Sequence, residues 1–535
     1  MKTIKYLSIL LVAALSFTAC NDWMNAVPEG ATKTADQKSD AASQNPTAAA
    51  ADISAIYAQF IQLYAGLGDL GYSRHNDFGY AAICMFTEAQ GQDFVSPNIG
   101  YNWFGFSDWT AIRDNTLTTT SGLISHLLWN EYYKIIHACN TVIEGVEREN
   151  PGTQRHALSQ ALAVRAFCYL QLTQLYQKPY SEATKTLPCV PIVKDRMTPE
   201  RQESNPRASL EEVFTMIMAD LDYACDSLAG FVRSDKGYVD QAVAFGLRAR
   251  AHLVRGEWAA AAADADKALT LSGATPLSIS EAGVPGFASA NAHNVLWANI
   301  VVETNDIVQT GIINWPSHMS SFYGDGYTGV GATRWIASAL YEEIPATDVR
   351  KGWWLNESGT SPLLDAAGYN AFKADILGAP DSYPPFCNVK FGTGDGTVTG
   401  LGAAAGDWIL MRAEELILIK AEGEAKSGAN GAATLTSFVQ NFRDPSYNAG
   451  AHGLSIEDEI WWQRRVELWG EGFAWGDIVR LNKDIVRTNS SNWPAAWAKQ
   501  DVKAASGIYL WRIPQSEIEA NRGISEADNN PVVTF

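Results

Sequence analysis

Two stretches of the chain combine aromatic rings with side chains that carry planar forks of hydrogen-bond donors and acceptors. Gln90 to Trp109 holds Gln92, Asp93, Asn98, Tyr101, Asn102, Trp103 and Trp109, with Arg74, Asn76 and Asp77 just upstream. Asn314 to Trp335 holds Trp315, Tyr323, Asp325, Tyr327, Arg334 and Trp335. A ring can cover the flat C–H face of a sugar, while Asn, Asp, Gln or Arg bonds the hydroxyls at its edge. On that chemistry the candidate ligand-binding residues are Arg74, Asp77, Asn98, Asn102, Trp103, Trp109, Trp315, Tyr323, Tyr327 and Trp335, and replacing Trp103, Trp315 or Trp335 by Ala is expected to weaken binding and spare the fold. Packing within the loops is the competing role for each ring. The 18 Trp in the sequence are many for a core, because a buried indole N–H must find a partner.

Other chemistries find little support. No C-x-x-C, EF-hand, H-E-x-x-H or G-x-S-x-G pattern occurs, and the eight His are scattered, so neither a metal nor a cofactor is expected. Gly324, Gly326 and Gly329 match G-x-G-x-x-G but lack the flanking strand and helix of a dinucleotide site. A formal charge of -19 argues against nucleic acid, whose phosphates need a basic face. A glycoside hydrolase would need two facing carboxylates, and nothing singles out such a pair among the 59 acidic residues. No catalytic residue is expected. A helical scaffold that binds peptides or proteins is the other alternative.

Residues 1–20 read as a targeting segment, with Lys2 and Lys5 ahead of an apolar run from Leu7 to Phe17, too short for a stable membrane span. Thr18-Ala19-Cys20 looks like a lipobox, although Phe17 stands where Leu is usual; Cys20 would then become a lipidated N-terminus that holds the domain at a membrane. Residues 21–51, rich in Ala, Ser, Thr and Asp, read as a flexible tether to a single body over 52–535. Cys84, Cys139, Cys168, Cys189, Cys225 and Cys387 read as free thiols.

The elements that must position the two stretches are mainly α-helical. Periodicity predicts an amphipathic helix around Ile53 to Tyr64, another from about Ser125, and helices over Ala157–Tyr176 and Ala208–Leu228, the last opened by a Ser209/Glu212 capping box. Asp240–Leu271 reads as a helix pair turning at Gly256-Glu257-Trp258, and 407–427 with 432–442 as a second pair. These are degenerate tetratricopeptide-like units (about 125–275 and 407–443), which must stack to bury their faces. Between them, 276–406 is a loop-rich insertion of the kind that carries binding; 444–535 is a C-terminal segment. Gly66 to Trp109 reads largely as loop.

Within that last segment, Glu459 to Leu481 reads as two short helices jointed at Gly470–Gly472, threaded with Arg464, Arg465, Glu467, Glu471, Asp477 and Arg480. The pattern predicts a packed pair with internal Arg–carboxylate bonds, and Arg464 and Glu467 are close enough on a helix to pair. The stretch Gln463-Arg464-Arg465-Val466-Glu467-Leu468, followed by Glu471-Gly472, Trp475, Asp477 and Arg480, resembles a signature of the SusD/RagB family of outer-membrane nutrient-binding lipoproteins of Bacteroidetes. Gln463 departs from the usual Glu, and Ala474 from a frequent Arg or His. The stretches starting at Arg165, Leu410 and Leu510 resemble the same family in the same order. The resemblance implies a SusD-like helical scaffold that docks on a SusC-like TonB-dependent transporter and captures an oligosaccharide, a polysaccharide or a peptide without cleaving it. It also implies ligand sites in loops of the two regions named above, though no single ligand contact carries over by motif.

Overall fold

The computed structural model of the chain describes residues 46–97, 101–105, 107–194, 197–366, 384–493, 498–504 and 506–532. Cys20, Asn98 and most of the segment read as tether lie outside the described residues. Helices of seven residues or more, numbered here in chain order, are α1 (Pro46–Gln59), α2 (Tyr80–Gln90), α3 (Thr120–Glu144), α4 (Arg155–Tyr176), α5 (Leu210–Ser227), α6 (Gln241–Arg255), α7 (Trp258–Ser272), α8 (Ala413–Lys426), α9 (Gly431–Phe442), α10 (Ile456–Glu467) and α11 (Ala474–Arg480). Among the described residues four short strands, β1 (Phe94–Val95), β2 (Val295–Asn299), β3 (Trp335–Ile336) and β4 (Trp408–Arg412), form two antiparallel pairs, β1 with β3 and β2 with β4. Among the described residues no helix is long and apolar enough to cross a membrane.

The helices stack in sequence order: α3 on α4, α4 on α5, α5 on α6, α6 on α7. The stack then continues directly from α7 to α8, although the whole insertion lies between them in the chain. Local chemistry sets the ends. Ser209 and Glu212 form the expected capping box at α5, and Asp240 caps α6 by accepting from the Val243 N–H. Small residues let α7 and α8 approach closely: a Cβ on Gly423 would stand 2.4 Å from the Trp258 carbonyl oxygen.

Three expectations change. Residues 408–412 form a strand that precedes α8, because β2 offers it a ladder: Trp297 pairs with Met411 and Ala298 with Ile409. α1 begins at Pro46, inside the stretch read as tether. The loop expected before Trp109 contains α2, all eleven residues of which are buried; a helix covered on every side has no amphipathic stripe to betray it. The six cysteines are free and buried, and burial pushes the Cys84 and Cys189 thiols up to about 12.

The C-terminal pair α10–α11 is held to the rest by buried charge. Glu467 accepts from Arg412 Nη1 and from Arg443 Nε and Nη2, each at 2.8 Å, and from Arg350 Nη1 at 3.2 Å. Arg412 also reaches Glu471 at 2.7 Å and Glu414 at 3.1 Å, and Lys390 reaches Glu471 at 2.5 Å. With the Asp348–Arg350 pair at 2.6 Å, four cations face four carboxylates in the interior. Burial alone would raise the Glu467 carboxyl, but Arg443, Arg412 and Arg350 hold it well below the usual range. The expected Arg464–Glu467 pair does not form: Arg464 turns to Asp477 at 2.7 Å, beside the Arg480–Glu422 pair at 2.6 Å.

The joint between α10 and α11 rests on α2. Glu88 Oε1 accepts the backbone N–H groups of Gly472, Phe473 and Ala474 at 2.8, 3.0 and 3.2 Å. Gly472 takes φ +92°, and a Cβ there would meet Cys84 Sγ at 2.5 Å, so only glycine fits. Burial pushes the Glu88 carboxyl up to about 7 against the lowering effect of those N–H groups.

Two predictions follow from this charge arrangement. Glu467→Gln leaves three guanidiniums short of their shared carboxylate and should cost about 3–5 kcal/mol in urea unfolding, whereas Glu182→Gln, in the exposed pair with Lys185, should leave the unfolding midpoint unchanged. Because Glu88 binds its proton more tightly folded than unfolded, its contribution is complete below its unfolded value of about 4.3 and is lost as pH rises through about 7. Unfolding midpoints of the wild type relative to Glu88→Gln should therefore fall across that window; a pH-independent difference would contradict the assignment.

Candidate functional site

The two aromatic stretches meet because β1 and β3 pair, Phe94 opposite Ile336 and Val95 opposite Trp335. Asp93 fixes this junction to the scaffold. Its carbonyl accepts from the Ala337 N–H and from Trp469 Nε1, both at 2.9 Å, and its carboxylate takes Arg465 at 2.7 and 2.8 Å. Gln92 is spent similarly, accepting from the Val486 N–H at 2.9 Å. Both belong to the frame and not to a binding surface.

Above the junction, residues from the two stretches form one ring cluster. Trp103 is half-buried and stacks on His75 with centroids 4.9 Å apart and planes at 26°. The Arg74 guanidinium lies over the same indole at 5.1 Å. His75 Nδ1 shares a short hydrogen bond with the Tyr327 hydroxyl, which also bonds the Trp103 indole. Tyr101 is 68% exposed, and its ring lies 6.4 Å from that of Tyr327. Underneath, His318 stacks on Tyr327 at 4.7 Å and on Phe78 at 5.4 Å, and its Nε2–H donates to the His75 carbonyl at 3.0 Å. Burial, followed by the charge of Arg334, holds His318 well below the usual histidine range, and burial with Arg74 nearby also lowers His75. Both imidazoles are therefore neutral at pH 7.

Tyr327 and His318 are presented by one folded loop. Asn314 caps the short helix Trp315–Met319, and Ser317 binds back to the Tyr327 N–H (3.0 Å) and Thr328 N–H (2.9 Å). The G-x-G-x-x-G match falls in this turn, where a Cβ on Gly329 would stand 2.0 Å from the Gly324 carbonyl oxygen; it is a packing requirement, with no phosphate-binding geometry.

Of the candidates named from sequence, Arg74, Trp103 and Tyr327 come together in this cluster. Trp109 does not: it is buried, with its N–H on the Gln90 carbonyl at 3.0 Å and the Arg487 guanidinium 4.0 Å from its ring. Trp315 is a core residue, its N–H on the Gly406 carbonyl at 2.6 Å and its ring edge-on to Phe391 and Trp408. Tyr323 is buried and donates to the Gly311 carbonyl at 2.8 Å. Asp77 is buried and accepts the Gly66 and Leu67 N–H groups at 3.0 and 2.8 Å, and burial raises its carboxyl to about 6. Asn102 braces its own loop through Ser96, Pro97 and the Phe104 N–H. Trp335, half-buried, packs with Val95, Ala337, Trp493 and Ala498 and bonds Thr333. The indoles in question found backbone carbonyls or hydroxyls for their N–H groups, which is how a loop tryptophan becomes core. Reasoning from sequence missed His75 and His318, which have no spacing signal, and left Tyr101 out of the shortlist although it lies in the first stretch.

The core tryptophans and the cluster tryptophan should separate by stability. Trp315→Ala and Trp109→Ala should each cost about 3–5 kcal/mol, against about 1 kcal/mol for Trp103→Ala, measured by circular dichroism during urea unfolding. Equal costs would mean that Trp103 is as structural as the others.

Comparison with known proteins finds similarity in sequence and in fold. Residues 36–253 match the SusD-like family model described as starch-binding and associating with the outer membrane. A SusD-like protein of Bacteroides ovatus is 26% identical over 258 residues, which cover 47% of this chain and 40% of that protein, so the match spans less than half of that relative. A crystal structure of a SusD-like carbohydrate-binding protein from Bacteroides vulgatus superposes with a TM-score of 0.71 at 22% identity, over 91% of this chain and 98% of the other. Surface glycan-binding protein A of Bacteroides thetaiotaomicron, solved in complex with laminarihexaose, superposes with a TM-score of 0.62 at 15% identity, over 90% and 98%. At these identities the structural likeness establishes the fold, which is the mainly helical SusD-like scaffold expected from the sequence.

Proposed function

We propose, from the premise that the chain is SusD-like in sequence and in fold, that it captures glycan at the cell surface and hands it to a partner transporter. The observation that carries this reading is the convergence of Trp103, Tyr101 and Tyr327, drawn from two distant stretches, into one ring cluster that is open at Tyr101 and Trp103, backed by the buried Tyr327, with Arg74 at its edge. Rings of this kind can cover C–H faces of pyranoses, and a guanidinium can bond the rim. The complex of the B. thetaiotaomicron protein with laminarihexaose supports a saccharide as the occupant. The outer-membrane description of the matching family supports a lipid anchor at Cys20 and a SusC-like TonB-dependent barrel as the partner.

No step of bond making or breaking is assigned. Binding would rest on ring stacking and hydrogen bonds, with the ligand released unchanged. Asp77, Glu88, Asp93 and Asp108, carboxylates of the first stretch and its surroundings, are each committed to backbone N–H groups or to Arg465.

The test is calorimetric titration of the purified protein with the polysaccharides it retains in affinity gels. Trp103→Ala and Tyr101→Ala should each weaken binding about tenfold, the effect expected for losing one stacked ring, with Trp258→Ala, on α7 of the helical stack, as a control. Full affinity in both variants would overturn the site. Release of reducing sugar, abolished by a single carboxylate substitution, would make the protein a glycoside hydrolase. Retention of proteins or peptides and of no glycan would make it a scaffold.

A further inference from the structure

The guanidiniums of this protein are, with few exceptions, neutralised. Arg165 pairs with Asp220, Arg250 with Glu415, and Arg350, Arg412, Arg443 and Arg464 with the carboxylates described above. Arg487, buried without a carboxylate, is instead saturated by the carbonyls of Ala89, Gly91, Ser107 and Ala498. Among the described residues Arg155 and Arg201 lack a carboxylate on the exposed surface, and two arginines that are wholly or partly buried also break this habit; both of these belong to the ring cluster. Among the described residues the Arg74 guanidinium has no hydrogen bond or ion pair, and it lies over the Trp103 ring with His75 nearby. Arg334 is fully buried, makes one bond, at 3.3 Å to the Thr333 carbonyl, and leaves Nε and Nη2 without partners. It sits against Phe104 at 5.6 Å, and Phe104 in turn meets His318, the ring beneath Tyr327.

The cluster is also rich in donors and poor in acceptors. The carboxylate of Asp77 and the carboxamide of Asn102 are occupied by their own loops, and the Asn76 amide nitrogen is tied to the Trp103 carbonyl at 2.8 Å, leaving as free acceptors its buried Oδ1 and the buried His318 Nδ1, both neutral. A neutral hydroxyl both donates and accepts, whereas a carboxylate or sulfate only accepts and suits the fork of a guanidinium. On a chain of formal charge -19, a cationic site left without acidic neighbours selects for anions.

We propose that the glycan taken by this site is acidic, with a uronate carboxylate or a sulfate ester seated on Arg74 at the edge of the Trp103–Tyr101 surface and Arg334 supplying positive field from behind the rings. This rests on the glycan-binding reading above and narrows its substrate class.

The experiment presents the wild type with polygalacturonate and alginate as carboxylate probes, carrageenan as a sulfate probe, and laminarin, amylopectin and xylan as neutral ones, in affinity gels and then by calorimetry. At least one acidic polymer should bind in preference to every neutral one. Its affinity should fall at least tenfold in Arg74→Gln and should weaken in high salt, where screening acts within about 3 Å at 1 M. Methyl esterification of the galacturonate, or desulfation of the carrageenan, should have the same effect and identifies which anion is read. A neutral polymer bound as well as any acidic one, with Arg74→Gln without effect and Trp103→Ala destructive, would overturn the acidic class and leave the glycan site standing. Retention of none of the polymers would overturn both. Thermal melts of Arg74→Gln matching the wild type exclude misfolding as the cause of a loss.

Discussion

A carboxylate sealed in the interior of a protein is tolerable only if cations meet it with good geometry, and Glu467 is such a group. Its partners arrive from three separate parts of the chain: Arg350 from the insertion, Arg412 from the strand leading into α8, and Arg443 from the end of α9. None of these segments can shift without stranding a charge. The balanced set of four cations and four carboxylates therefore does more to define a unique arrangement than to add net stability, since apolar packing of the same volume would serve stability as well. The insertion cannot drift as an independent lobe, because Arg350 and Lys390 are bound into the C-terminal helices.

From that fixed point the binding surface follows in a few contacts. α10 carries Arg465 and is followed by Trp469, and both grip Asp93 at the mouth of the first loop. Asp93 binds the Ala337 N–H, the β1–β3 ladder forms, and residues more than two hundred positions apart become neighbours. Glu88 pins the α10–α11 joint to α2, which precedes the same loop. Polar chemistry in the core thus works as a set of registry pins, while the exposed rings that could touch a ligand are few and local.

Much of this architecture was legible in the residues. The helix pairs announced themselves through apolar period, the Ser209/Glu212 box and the Gly256-Glu257-Trp258 turn, and the charged C-terminal stretch was readable as an internal Arg–carboxylate assembly. Which charges pair was not readable: Arg464 and Glu467 sit three apart on one helix, yet tertiary partners outweigh the weak local pair. α2 was hidden because burial on all sides removes the amphipathic signal. The site was half legible. Composition marks both stretches as aromatic and polar, but Trp103 and Trp315 differ only in what surrounds them: the Gly406 carbonyl satisfies and buries the Trp315 indole, while Trp103 is stacked on His75 and left partly open. No one-dimensional pattern encodes that distinction.

The central claim is that the two loop stretches, brought together by the β1–β3 ladder, form the surface that meets the ligand. A crystal structure of the protein with a bound oligosaccharide measures this directly. The account predicts sugar density against the Trp103 and Tyr101 rings, within hydrogen-bond reach of Arg74. Density seated elsewhere, such as the cleft of about 690 Å³ beside Trp354 and Lys351, with the Trp103 cluster bare, would contradict it.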